Sequence, residues 1–142
     1  GMADPNRSYP FPGRESATPT ASIAGIIKLF ETIKPVGSID FHAFGEMIMY
    51  PWAYTHDPID ASSKAKMHEL TGQMAATNRY AFGQISKVIY VAQGSSADYY
   101  FWKNGTTGLA IEMGNDKVPS PGEIPAYVDA QTESTWRFIE AF

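Results

Sequence analysis

The sequence predicts an α/β domain in which helices flank a mixed, mainly parallel sheet. Apolar residues recur at helical spacing early in the chain, and short β-prone runs follow. Their order is helix, strand, helix, strand, strand, helix, which is typical of α/β architectures. A chain of 142 residues fits one domain and buries roughly two thirds of its unfolded surface. We therefore interpret residues 1–142 as a single domain.

The first helix is predicted from Thr20 to Pro35, with Thr20 or Ser22 as its cap. A stripe of apolar residues at i, i+3, i+4, i+7 and i+10 marks its inner face: Ile23, Ile26, Ile27, Phe30 and Ile33. A strand follows over residues 38–44, where side chains alternate between two faces. One face carries Ile39, Phe41 and Ala43, and the other carries Asp40, His42 and Phe44.

The later elements are less regular. A long helix is predicted over residues 62–81, strands over 88–92 and 109–113, a short helical turn over 98–102, and a last helix over 125–142. The apolar run that begins at Met47 stops at Pro51, and we assign no strand to it. Four residues of the last helix are expected to pack inward: Val128, Thr135, Ile139 and Phe142.

Composition excludes several classes of function. The net charge is −4, with only 11 Lys and Arg residues, so nucleic acid is not an expected partner. The chain has no cysteine, which excludes disulfides and thiol nucleophiles. Its apolar runs are too short for a membrane span, and no signal-peptide pattern is visible. Gly1 before Met2 looks like a remnant of expression cloning.

Three residues stand out as candidates for chemistry. His42 lies near the carboxyl end of a predicted strand, where open α/β sheets bind ligands, although a satisfied core histidine fits the pattern too. Glu112 places a carboxylate in an apolar strand, which implies either a functional group or an edge strand that faces water. Tyr90 ends a β-prone run, a position that usually serves packing. The Pro-rich residues 1–19 look like a loop.

In order and context, these residues resemble the C-terminal half of a zinc carboxypeptidase, the funnel-fold metallopeptidases of the carboxypeptidase A type. Four segments carry the resemblance: the Asp-x-Asn-Arg pattern within 4–10, the strand and Tyr-Pro turn of 38–55, the tyrosine loop of 88–99, and the glutamate strand of 109–114. The interval from Tyr90 to Glu112 also matches the family. The resemblance implies a partial carboxypeptidase-like domain.

The resemblance implies a role for each residue. His42 matches a zinc ligand, Glu112 the general base that takes a proton from zinc-bound water, and Asp4 a carboxylate that orients a zinc-binding histidine. On the substrate side, Arg7 matches the arginine that binds the terminal carboxylate, with Asn6 and Tyr90 as helpers. Ala97 matches the base of the side-chain pocket, where a bulky neutral residue is expected to fit.

The sequence departs from the family pattern in its metal ligands. The first two ligands are expected from a His-x-x-Glu segment upstream, and the chain has none, nor the upstream arginine for the oxyanion. The chain could be truncated, could pair with a separate N-terminal half, or could be a short relative without catalysis. Self-association through an open sheet edge is also expected.

Two classes of function remain open on these grounds. One is a zinc-dependent carboxypeptidase that cuts C-terminal or cell-wall peptide bonds. The other is non-catalytic: either a metal-free module that binds peptide C-termini through Asn6, Arg7 and Tyr90, or a truncated structural fragment that forms dimers.

Overall fold

A four-stranded sheet and the helices around it form the fold in residues 4–142, the part of the chain that this computed structural model describes. The strands are β1 Gly37–His42, β2 Met47–Tyr50, β3 Ala81–Gln84 and β4 Thr107–Glu112. A 3₁₀ turn, Pro5–Arg7, precedes the helices α1 Ala21–Ile33, α2 Ala61–Asn78, α3 Ile85–Val88, α4 Ser96–Asn104 and α5 Ile124–Ile139. No helix in this range is both long and apolar enough to cross a bilayer.

The sheet is mixed, as the sequence predicts, with the strand order β1-β4-β2-β3. β1 runs parallel to β4, β2 runs parallel to β3, and β2 runs antiparallel to β4. In this register His42 lies opposite Glu112 at the carboxyl ends of β1 and β4. The two residues that the sequence singles out first are therefore neighbours on adjacent strands.

Two strand assignments from the sequence need correction. Residues 88–92 do not form a strand, because α3 occupies Ile85–Val88 and a loop follows it. Tyr90 and Val91 are exposed in that loop, so their β propensity has no sheet surface to pack on. The run that begins at Met47 does form a strand, β2, and residues 81–84 form β3. The sequence of β3 does not predict a strand, because neither Gly83 nor Gln84 favours that conformation.

The main core lies between the sheet and the helices α2 and α5. Its fully buried centre consists of Ile48, Met74, Leu109 and Ile111. α5 turns a different face inward from the one predicted: Gln131, Ser134 and Phe138 are buried, and Val128, Ile139 and Phe142 are exposed. The buried face contains polar residues, so the apolar residues of α5 do not mark its inner face. The prediction from their spacing is therefore wrong.

Apolar surface remains uncovered beside β1. Ile23 and Phe30 of the predicted α1 stripe are buried, but Ile26 and Ile33 are exposed. Phe41 on β1 is also exposed, and β4 is the one pairing partner of β1 among the described residues. The outer edge of β1 is thus an open sheet edge of the kind that invites pairing with another chain.

Asp98 ties the first turn of α4 to the loop after β2. Its carboxylate is fully buried and accepts the backbone N–H groups of Ala53 and Tyr54, each at 2.8 Å. Burial raises the pKa of Asp98 to about 6, although these two hydrogen bonds and one from Ser95 act in the opposite direction. A charge kept out of water in this way lowers stability wherever it is ionised.

The first prediction concerns the pH dependence of stability. Because the pKa of Asp98 is higher in the folded state, its contribution to the unfolding free energy is greatest below pH 3.8 and is lost as the pH rises to about 6. The unfolding free energy of Asp98→Asn minus that of the unmodified chain should therefore rise by about 2 kcal/mol between pH 4 and pH 7. Urea unfolding at several pH values measures this difference. The exposed Asp129→Asn should show no such slope, and a flat difference for Asp98→Asn would contradict the assignment.

Candidate active site

A cavity of about 280 Å³ opens at the carboxyl ends of β1 and β4. Its walls come from the 3₁₀ turn, the ends of β1 and β4, the loop after α3 and the first turn of α4. All seven residues that the sequence and the resemblance single out line this cavity: Asp4, Asn6, Arg7, His42, Tyr90, Ala97 and Glu112. The imidazole, the carboxylate and the guanidinium therefore face a common cleft.

Residues 4–7 of the Pro-rich segment form one wall of the cavity. Asp4 caps the 3₁₀ turn, because its carboxylate accepts the backbone N–H of Asn6 at 2.9 Å. Gly94 packs against the backbone of Arg7 with φ +80°, and a Cβ there would lie 2.6 Å from the Arg7 carbonyl. Both conditions require glycine. The backbone of Arg7 is thus set by contacts on two sides.

Arg7 presents its guanidinium at the mouth of the cavity. Its Nη1 donates to the Asn6 carbonyl at 2.7 Å, and its Nη2 donates to the Tyr90 hydroxyl at 3.0 Å. Each of these nitrogens carries a second N–H that neither bond uses. The Tyr90 ring also lies near the guanidinium, with its centroid 5.9 Å from Cζ. Tyr90 is exposed here and serves no packing role in the core.

Asn6 links the imidazole of His42 to the first turn of α4. Its Oδ1 accepts the backbone N–H of Ser96 at 2.9 Å, and its Nδ2 lies 3.3 Å from His42 Nε2. The carbonyl of His42 accepts the N–H of Met113 at 2.8 Å, which continues the pairing of β1 with β4. The side chain of Asn6 thus contacts the imidazole, and strand pairing holds the backbone of His42.

Glu112 faces the cavity from a central strand, so the alternative of an edge strand facing water is wrong. Along β4, Leu109 and Ile111 are buried in the main core, and Ala110 and Glu112 line the cavity on the other face. Burial raises the pKa of Glu112, while the charges of His42 and Arg7 partly counteract it. Its Oε2 is buried with no hydrogen-bond partner among residues 4–142.

Ala97 forms part of an apolar wall in the first turn of α4. It is buried and packs in a cluster with Met49, Ala53, Ile85 and Ala92. All five residues of this cluster line the cavity. Apolar side chains thus face one part of the cavity, while charged groups occupy the other.

Sequence reasoning missed three residues at this site. Asp40 accepts a hydrogen bond from the Ser96 hydroxyl, and burial raises its pKa while His42 counteracts the shift. Asp40 shares the alternating face of His42, and that pattern could have identified it. Ser96 and Lys117 line the cavity from loop and helix-start positions, where the sequence shows no comparable pattern.

The described residues do not by themselves fit a zinc site. No group of three His, Asp or Glu side chains in residues 4–142 is placed to hold a metal ion. His68 contacts Tyr50 on a different face, with 3.4 Å between Nδ1 and the hydroxyl. A zinc ion needs three protein ligands in a catalytic site, and His42 is the one that the resemblance implies among these residues.

Comparison with known proteins defines the class. The family model of zinc carboxypeptidases matches residues 3–134 of the chain. The chain therefore belongs to the zinc carboxypeptidase family, a family of metallocarboxypeptidases. This confirms the resemblance that the four sequence segments predict.

Curated relatives extend well beyond the matched region. Human carboxypeptidase A1 is 30% identical over 98 residues, which cover 65% of this chain and 22% of that protein. Human carboxypeptidase A6 is 34% identical over 71 residues, which cover 47% and 16%. The chain thus spans about a fifth of the length of the curated relatives it matches.

Solved structures share the fold. Bovine thrombin-activatable fibrinolysis inhibitor, in complex with tick carboxypeptidase inhibitor, has a TM-score of 0.83 and 14% identity, covering 95% of this chain and 55% of that one. Carboxypeptidase A from Helicoverpa armigera has a TM-score of 0.67 and 20% identity, covering 97% and 40%. The predicted partial carboxypeptidase-like fold is confirmed.

The second prediction follows from the buried carboxylate of Glu112. Its raised pKa means that the ionised form destabilises the folded state, an effect that grows as the pH rises through the usual value of 4.5. Glu112→Gln should therefore gain stability relative to the unmodified chain at pH 7, and the gain should shrink towards pH 4.5. Urea unfolding checks this, with the exposed Glu69→Gln as the matched control. A gain that does not depend on pH would argue against the burial effect.

Proposed function

We propose that the chain forms the substrate-binding side of a metallocarboxypeptidase active site and recognises peptides by their free C-terminal carboxylate. The observation that carries this proposal is the Arg7–Tyr90 pair at the mouth of a cavity that also contains Glu112. A peptide end needs a fixed cation, a cover and room for one side chain.

The carboxylate is assigned to Arg7. A guanidinium offers parallel N–H groups to a carboxylate, and the free N–H on each Nη of Arg7 remains for this purpose. Asn6 lies next to it and carries a further amide donor. Tyr90 sits in an exposed loop and can cover the bound end of the peptide, so we assign it the covering role.

The side chain of the terminal residue is assigned to the apolar wall at Ala97. A methyl group at this position leaves space, and the surrounding Met49, Ile85 and Ala92 carry no charge. A bulky neutral side chain is therefore the preferred terminal residue. Lys117 lines the same cavity and adds a positive charge, which disfavours basic terminal residues.

Glu112 is assigned the role of general base. Burial raises the pKa of Glu112, which makes its carboxylate a stronger proton acceptor, and the unpartnered Oε2 leaves a lone pair for water. In a site with a full set of metal ligands, Glu112 would be the group placed to take a proton from the attacking water and to return it to the leaving amine. His42 is assigned as a zinc ligand, and Asp4 as the carboxylate that orients a zinc-binding histidine.

A second candidate function has its own support. The described residues include the carboxylate-binding groups but no set of three metal ligands. Such a chain can bind peptide C-termini without cutting them. Zinc content and hydrolysis of N-terminally blocked dipeptides separate the two functions. Stoichiometric zinc with hydrolysis supports the enzyme, and binding without either supports the module.

The third prediction tests the carboxylate assignment. Arg7→Ala should weaken binding of a peptide with a free C-terminus by about 10- to 100-fold, because a hydrogen bond to a charged group contributes about 1.5–3 kcal/mol. Binding of the same peptide with an amidated end should change little. Calorimetry on both peptides measures this, and the exposed Arg14→Ala is the matched control. Equal weakening of both peptides would contradict the role of Arg7.

The fourth prediction tests the base. In a form of the enzyme with its full metal-ligand set, Glu112→Gln should lower kcat by about 100- to 10,000-fold, the range typical of general acid–base catalysis. KM and bound zinc should stay close to those of the unmodified enzyme, because glutamine removes a base and not a ligand. Steady-state kinetics and metal analysis give the two readouts. Loss of zinc in this variant would refute the proposed role.

A further inference from the structure

The orientation of the Asn6 side chain is fixed by the backbone of Ser96. The Ser96 N–H can only donate a hydrogen bond, and it lies 2.9 Å from one terminal atom of the Asn6 amide. That atom must therefore be the carbonyl oxygen, and the NH₂ group must occupy the other position. The backbone of Asn6 is held as well, because the Asp4 carboxylate accepts its N–H.

The fixed amide determines which nitrogen of His42 carries the proton. The NH₂ group of Asn6 faces His42 Nε2 at 3.3 Å, and an amide NH₂ is a donor only. Nε2 must then present its lone pair. A neutral imidazole has one protonated nitrogen, so the proton lies on Nδ1.

Ser96 is itself anchored to the strand that carries His42. Its hydroxyl donates to Asp40, two residues before His42 on the same face of β1. Asp40 is half-buried at this point and has no cationic partner among the described salt bridges. Ser96 thus connects Asp40 on one side with Asn6 on the other, and the distance between Asn6 and the imidazole is set by this connection.

We infer that Ser96 and Asn6 are positioning residues that lock the His42 imidazole in the Nδ1–H tautomer, so that neither ring nitrogen is free to bind a metal ion. Nδ1 carries the proton, and the lone pair of Nε2 accepts from Asn6. A metal ion can bind His42 only after the Asn6–His42 hydrogen bond breaks. This agrees with the lack of fit between the described residues and a zinc site, and it holds whether or not the chain hydrolyses peptides.

The experiment is ¹⁵N NMR of the metal-free chain. Long-range ¹H–¹⁵N spectra distinguish a protonated ring nitrogen from one with a lone pair, and about pH 8.5 keeps the imidazoles neutral. The chain has three histidines, so His56→Gln and His68→Gln complete the assignment. We expect His42 to show a protonated Nδ1 and a lone-pair Nε2. An Nε2–H pattern, or an equal mixture of both, overturns the inference.

Two variants at Asn6 test the cause. Asn6→Ala should remove the preference, so that the two ¹⁵N shifts of His42 move towards those of exposed His56. Asn6→Asp replaces the donor with an acceptor and should invert the pattern to Nε2–H. Asn104→Ala, on the exposed end of α4, should change neither shift. If Asn6→Ala does not fold, the inversion in Asn6→Asp remains decisive, and an unchanged His42 in either variant refutes the role of Asn6. The NMR experiment does not measure peptide binding. A wrong tautomer assignment can therefore be told apart from a wrong proposed function.

Discussion

The parallel pairing of β1 with β4 is the constraint on which the cavity depends. It places His42 opposite Glu112 at the same end of the sheet, and hydrogen bonds along the whole register hold the two strands together. A shift by one residue would turn Glu112 into the main core and bring Ile111 to the cavity. The chemistry of the site thus rests on the same ladder that organises the core.

The first turn of α4 joins the remaining parts of the site. Ser96 contacts Asn6 and Asp40, Ala97 lines the apolar wall, and Asp98 holds the loop after β2. Three consecutive residues therefore connect the 3₁₀ turn that contains Asn6, the strand of His42 and the apolar wall of the cavity. A displacement of this turn would be transmitted to all three, because each connection is a direct contact.

The sequence predicted most of the fold where a local pattern coincided with burial. α1, α2, α4, β1, β4 and α5 were all identified within a few residues of their observed bounds. β3 was missed because Gly83 and Gln84 carry no strand signal, and its position depends on pairing with β2. The inner face of α5 was misjudged because buried Gln131 and Ser134 resemble surface residues. At the candidate site, family motifs identified seven lining residues, and their roles stay predictions. Asp40 and Ser96 were missed because their importance lies in a contact between distant segments.

The cavity is sensitive to substitution at Gly94, although this residue carries no charge and belongs to no binding motif. Its positive φ and the nearby carbonyl of Arg7 leave no room for even a methyl group. Any side chain at this position would push the 3₁₀ turn away from the loop and carry the guanidinium with it. A genetic variant at this neutral, unreactive residue is therefore expected to disturb the proposed ligand site as fully as loss of the arginine itself.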